Sequence, residues 1–149
     1  MIAHTWSELN HLQIGKYAEY FVKMKFVLGG FDVYSAEVDD RGIDFVVRKN
    51  SNVYYDIQVK SVRNLNNIFF AKENFDLRDN LLASVVIFRE DEPPHLFLLR
   101  STLWQHPNPL FASRDYMGLK SRPEWGLNLS RGNWPILAEH DFDKVVQTL

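Results

Sequence analysis

Residues 42–62 read GIDFVVRKNSNVYYDIQVKSV, and this stretch decides the fold. Ile43 to Arg48 and Val53 to Val62 are rich in Val, Ile and Tyr, a composition that predicts two β-strands. The Asn-Ser-Asn segment at residues 50–52 has the composition of a turn. Because so short a connection joins them, the two strands are expected to pair as an antiparallel hairpin.

Three polar residues interrupt this otherwise apolar hairpin. Gln58 and Lys60 are two residues apart, so in a strand their side chains project from the same face. Asp44 stands at the start of the other strand, where a buried carboxylate is costly unless another group compensates it. Pairing through the turn would bring Asp44 close to Gln58. The pattern therefore predicts three polar groups converging on one face of a sheet.

A helix and a further strand are predicted on the N-terminal side of the hairpin. Leu12 to Leu28 has a helical apolar stripe, and Gly29-Gly30 ends it, as glycine after a helix commonly does. The members of the stripe are Ile14, Tyr17, Ala18, Phe21, Val22, Lys25 and Leu28. Phe31 to Val38 is predicted as a strand, and the Asp-Asp-Arg-Gly turn at residues 39–42 makes it part of an antiparallel meander.

The C-terminal side adds two clearer strands and several weaker elements. Leu81 to Phe88 is an apolar run typical of a strand buried on both faces, and Leu96 to Leu99 is a second strand. The weaker predictions are a short helix at Asn74 to Asn80, a short strand at Gly126 to Leu129 and an amphipathic helix at Ala138 to Leu149. A helix followed by strands and then by mixed elements predicts an α+β, or mixed α/β, fold.

Composition sets the broad class of the protein. The chain has 149 residues, typical of one domain, so residues 1–149 are expected to form a single domain. It contains no cysteine, which excludes thiolate metal sites and thiol nucleophiles. No signal-peptide or membrane-spanning pattern is present, which favours a cytoplasmic location. The net charge of −2 argues mildly against avid non-specific DNA binding, although a local basic face and bound metal ions would suffice.

The three polar residues suit phosphodiester hydrolysis. Asp44 offers carboxylate oxygens to a magnesium ion, Gln58 an amide oxygen and Val59 a main-chain carbonyl. Magnesium prefers such an incomplete shell of oxygen ligands, which leaves positions for water and phosphate. Lys60 would stabilise the charge that develops on the phosphate or help to orient the nucleophile. The sequence therefore predicts a Mg²⁺ site, in which Mn²⁺ can substitute.

Asp44 followed by Gln58-Val59-Lys60 resembles the D…(D/E/Q)XK signature of the PD-(D/E)XK nuclease superfamily. Residues 15–19, GKYAE, are similar to the GxxxE helix of its Holliday-junction-resolvase-like branch, and Gln in place of the acid is similar to Mrr-like restriction endonucleases. The resemblance covers roughly residues 12–62. It implies a restriction-endonuclease-like core with a central mixed sheet flanked by helices, and it implies Glu19 as a fourth site residue. Residues 63–149 contain no recognised motif.

The function expected from this resemblance is a magnesium-dependent DNA endonuclease that acts as a homodimer or a higher homo-oligomer. The alternative is a nuclease-fold protein that no longer cuts and instead binds nucleic acid, or serves as an accessory or regulatory subunit of a mobile-element or defence system. The neutral Gln58 favours this alternative, because the site then has one negative charge fewer than usual. A structural protein with a coincidental motif is the third, weaker possibility.

Each site residue also has a simpler interpretation. Asp44 could close the preceding turn, since Asp is a favoured turn residue. Gln58 and Lys60 could form a solvated strand face. Glu19 could be a surface residue that pairs with Lys16 or Lys23 at helical spacing.

Overall fold

The computed structural model describes residues 5–38, 41–50 and 52–149. Helix α1 (His11–Leu28) begins with a capping box, in which the side chain of Asn10 accepts from the backbone of Gln13 and the Gln13 side chain accepts from the backbone of Asn10. Gly29 caps its C-terminus, and Gly30 follows with a φ of +87°. The predicted helix is thus confirmed. Its buried residues are Ile14, Ala18, Val22 and Phe26.

The stripe predicted for α1 was wrong at its C-terminal end. Leu28 is 81% exposed, whereas Phe26, which the stripe omitted, is fully buried. Phe26 packs edge-on against Phe31, Phe45 and Phe142. The last buried position of α1 is therefore Phe26, which faces these aromatic rings, and not Leu28.

A five-stranded mixed sheet forms the centre of the fold. Its strands in chain order are β1 (Asp32–Ser35), β2 (Phe45–Arg48), β3 (Tyr54–Arg63), β5 (Leu81–Phe88) and β6 (His95–Arg100). The spatial order is β1-β2-β3-β5-β6; β3 and β5 are parallel, and the other neighbours are antiparallel. The predicted meander, the two later strands and the mixed α+β class are therefore confirmed.

Because β3 and β5 are parallel, the chain between them must cross from one end of the sheet to the other. This connection contains a strand that belongs to a second sheet. The second sheet has the antiparallel order β4-β8-β7, formed by β4 (Ile68–Ala71), β7 (Phe111–Arg114) and β8 (Glu124–Leu127). Strand β8 is the strand predicted at residues 126–129, displaced by two residues, whereas β4 and β7 were not predicted.

The two faces of the central sheet are covered differently. Every residue of β5 is buried, because alternate side chains enter two hydrophobic clusters. Leu82 and Val86 pack with the buried face of α1, and Val85 and Ile87 pack with Phe70 and the rest of the second sheet. A long helix thus flanks one face, and a sheet covers much of the other.

Two helix predictions in the C-terminal half were wrong. The helix predicted at residues 74–80 is only a 3-10 turn at Lys72–Asn74. The helix predicted at residues 138–149 is two short helices, α2 (Trp134–Ala138) and α3 (Phe142–Val146). The Asp141 side chain accepts from the backbone N–H of Asp143 and starts α3 anew. None of the described helices is both long and apolar enough to cross a membrane.

Candidate active site

Asp44, the residue immediately before β2, is hydrogen-bonded to the edge of β3. Its backbone N–H donates to the carbonyl of Ile57 at 2.9 Å, and its Oδ2 accepts from the N–H of Val59 at 2.7 Å. The ladder between β2 and β3 ends at the pair Phe45–Ile57, so the carboxylate lies where β3 continues beyond its neighbour. The partner of this carboxylate is 15 residues away in sequence. The side chain therefore does more than close the preceding turn, whose residues 39 and 40 lie outside the described part.

The carbonyl of Val59 is directed toward the same side of β3 as Asp44. The N–H and C=O of one strand residue point to the same side of the strand, and these groups alternate between the two sides along the chain. Since the N–H of Val59 meets Asp44, the carbonyl of Val59 is presented on that side too. The opposite side of β3 is occupied by β5.

Gln58 is buried, with only 9% of its surface exposed, so it is not part of a solvated strand face. Its Oε1 is enclosed and accepts no hydrogen bond from the described residues. An unsatisfied buried acceptor typically costs about 1–3 kcal/mol. The amide lies against Gly42, because a Cβ placed on Gly42 would be 3.6 Å from Gln58 Oε1.

Lys60 extends toward the second sheet. Its Nζ is 5.7 Å from the centre of the Phe70 ring on β4. Burial lowers the pKa of Lys60 from its ordinary value, and the negative charge of Asp44 opposes that shift. A partly desolvated lysine beside a carboxylate in a cleft is typical of functional sites.

Glu19 reaches a groove next to these residues from α1. Its carboxylate forms ion pairs with Lys23 at 3.1 Å and Lys16 at 3.5 Å, so the pairing considered from helical spacing does occur. The side chain is nevertheless only 22% exposed, and it shares with Val59 and Lys60 a groove of about 580 Å³. The structure thus brings Glu19 to the same groove as Lys60, with its charge already balanced by lysines.

Gly42, which lies against the amide of Gln58, and Asn74, which lies beside Gly42, were not predicted as part of this region. Gly42 has a φ of +76°, which favours glycine, and a Cβ there would lie 3.2 Å from the Cβ of Asn74. Gly42 was predicted in a turn and Asn74 in a short helix, and neither was predicted to lie near Gln58. The single local signal was a glycine two residues before Asp44; nothing near Asn74 indicated a contact with this region.

The oxygen donors at this edge suit a hard divalent cation. In the described part of the chain, no group of three His, Asp or Glu side chains is placed to hold a metal ion. The donors are instead the carboxylate of Asp44, the carbonyl of Val59 and the enclosed Oε1 of Gln58. Magnesium accepts such a set, since it commonly takes one or two carboxylates and completes its shell with water and phosphate. The unpaired Oε1 is the observation that makes the fit good.

One solved structure with a similar fold is that of Hjc, a Holliday junction resolvase from the archaeal hyperthermophile Archaeoglobus fulgidus. The TM-score is 0.57, and the match covers 89% of this chain and 95% of that chain. The chain has a restriction-endonuclease-like fold. Sequence identity to Hjc is 12%, so the likeness concerns the fold. No protein-family model and no curated protein matches the chain.

Proposed function

We propose that the protein is a magnesium-dependent DNA endonuclease of the PD-(D/E)XK type, with its active site at the edge of β3. The observation that carries the proposal is the hydrogen bond from Val59 N–H to Asp44 Oδ2. This bond places the one carboxylate of the core motif against the strand that contains Gln58 and Lys60. The restriction-endonuclease-like fold supports the proposal, because the similar structure of Hjc is that of a resolvase.

Each residue has a distinct role in this proposal. Asp44, Gln58 and the carbonyl of Val59 would hold the ion. When bound, Mg²⁺ supplies positive charge that stabilises the phosphate as negative charge develops on it. Lys60 places an ammonium group beside the same phosphate, and its lowered pKa makes that ammonium a stronger hydrogen-bond donor than the one of an exposed lysine. Glu19 adds a carboxylate to the groove and holds Lys16 and Lys23 in place.

A site of this kind cuts one strand, so double-strand cleavage requires two copies. We therefore propose a homodimer or higher homo-oligomer as the active form.

The second candidate is a protein with the same fold that binds nucleic acid without cutting it, as an accessory or regulatory subunit. Gln58 favours this candidate, because a neutral amide stands where a second carboxylate would strengthen the hold on the ion. The two candidates share the groove and differ only in turnover.

Cleavage of a substrate panel separates the two candidates. Plasmid, linear duplex, single-stranded and four-way-junction DNA are incubated with Mg²⁺ or Mn²⁺, and metal affinity is measured by calorimetry. Asp44→Ala should reduce cleavage about a thousandfold or more, since losing several kcal/mol of transition-state stabilisation has that effect. Asp143→Ala, which removes an exposed carboxylate on α3, is the matched control and should cleave as the wild type does.

Two further variants assign the other roles. Lys60→Ala should slow cleavage strongly and leave metal affinity nearly unchanged, because Lys60 is not a ligand. Gln58→Glu should tighten metal binding, because it adds a charge at a ligand position. Metal binding without cleavage of any substrate would support the non-cutting candidate, whereas full cleavage by Asp44→Ala would refute the proposed site.

A further inference from the structure

The groove beside the candidate site has the opposite sign of charge to the whole chain. It lies between the first half of α1 and the edge of β3, and its lining residues include Gly15, Lys16, Glu19, Lys60 and Arg63. Three cations against one carboxylate give a formal charge of +2 in the groove, whereas the chain carries −2. A local concentration of positive charge in an acidic protein indicates an anionic partner.

Gly15 stands in the middle of the helical wall of this groove. Glycine inside a helix costs about 1 kcal/mol relative to alanine. Nothing in the described structure explains this cost, because a Cβ built on Gly15 meets no atom within 4 Å. Packing inside the protein therefore does not require glycine here. The remaining reason for a glycine at this position is that a ligand in the groove approaches the helix backbone closely.

The opposite wall offers main-chain donors. Pairing of β3 with β2 ends at Ile57, while β3 itself continues to Arg63. Because backbone groups alternate along a strand, the N–H of Ser61 points to the same side as that of Val59, toward the groove. Backbone N–H groups and cationic side chains are the groups that contact phosphate oxygens in protein–nucleic-acid complexes.

We propose that this groove binds the phosphodiester backbone of the nucleic-acid strand next to the scissile phosphate, and that the strand passes closest to α1 at Gly15. The inference rests on the proposed function and names the part of the surface that holds the substrate. Lys60 and Arg63 are three residues apart in β3, so their side chains leave opposite faces of the strand and contact different phosphates. Arg63 also donates to the carbonyl of Leu9, whereas the side chain of Lys16 is 58% exposed.

The test measures binding without cleavage. Fluorescent single-stranded, duplex and four-way-junction DNA are titrated with full-length protein in Ca²⁺, and affinity is read by anisotropy. Gly15→Leu should lower the affinity at least tenfold while the melting temperature stays equal to or above that of the wild type, since Leu is the better helix former. Met24→Trp is the matched control and should leave the affinity unchanged. Met24 is nine residues after Gly15, on the opposite side of the helix, and is 61% exposed.

Salt dependence tests the charge. Lys16→Gln should reduce the slope of log affinity against log salt by about 0.7–0.9, the value for one lost phosphate contact. Lys144→Gln on α3 removes an equal charge outside the groove and should leave the slope unchanged. Wild-type affinity in Gly15→Leu, or equal slopes for the two lysine variants, would overturn the inference even if the enzyme cleaves DNA. A loss of affinity in Gly15→Leu would support it even if no substrate is cut.

Discussion

Replacing Gln58 by methionine should stabilise the metal-free protein. The substitution removes a buried amide and fills its space with an unbranched apolar side chain of similar length. Because Gln58 Oε1 accepts no hydrogen bond from the described residues, its desolvation is uncompensated, at about 1–3 kcal/mol. The free energy of unfolding in EDTA should rise by that amount. For a chain of 149 residues, this corresponds to an increase in melting temperature of about 3–10 °C.

Urea denaturation and calorimetry, each with and without Mg²⁺, measure this effect. Mg²⁺ should stabilise the wild type in proportion to its binding, and it should have a much smaller effect on Gln58→Met, which lacks one of the proposed ligands. Gln105→Met is the matched control: it makes the same change at an exposed site and should alter stability by less than about 0.5 kcal/mol. A lower free energy of unfolding for metal-free Gln58→Met would show that the amide is satisfied, and equal stabilisation by Mg²⁺ in both proteins would refute its role as a ligand.

Three other substitutions test further residues of the candidate site. Lys60→Met should be more stable than the wild type at neutral pH. Folding lowers the pKa of Lys60, so below the folded pKa the wild type is destabilised by its buried charge. This destabilisation disappears as the pH rises from the folded pKa toward 10.5. The difference in stability between Lys60→Met and the wild type, followed by thermal melts, should therefore shrink over that range. Glu19→Gln should change the free energy of unfolding by less than about 1 kcal/mol, because partly exposed ion pairs contribute little to stability. It should nevertheless reduce kcat/KM at least tenfold. An unchanged kcat/KM would leave Glu19 only a structural role. Gly42→Ala should destabilise the protein by about 1–3 kcal/mol in urea denaturation, because of its φ of +76° and the nearby Asn74, and calorimetry should show weaker Mg²⁺ binding.

The elements that the sequence predicted well are those whose signals are local. The meander followed from short turns between strands rich in Val, Ile and Tyr, and α1 followed from its apolar stripe and the terminating glycines. The convergence of Gln58 with Lys60 followed from the two-residue period of a strand. The contact of Asp44 with Val59 required only the pairing of adjacent strands.

The elements that could not be predicted depend on distant pairing. β4 and β7 are only four residues each, and β4 pairs with β8, which begins at Glu124, 53 residues after β4 ends at Ala71. No local pattern reveals such partners. The region around Gln58 depends on a distant contact too, because Gly42, which lies against its amide, is beside Asn74 from the segment after β4. A solvated and a buried strand face look alike in residues 54–63 alone.

The segment without a recognised motif therefore forms part of the surroundings of the motif residues. Phe70 on β4 lies over Lys60, and burial lowers the pKa of that lysine. Gly42, which lies beside Asn74, is against the amide of Gln58, whose Oε1 is the one buried side-chain polar atom without a partner among the described residues. A desolvated ammonium, an unsatisfied oxygen and a glycine with positive φ each reduce stability, and they lie together at one edge of one strand. Proteins keep such a concentration of unfavourable features where a ligand compensates them, and the proposed function supplies two such ligands, a divalent cation and a phosphodiester.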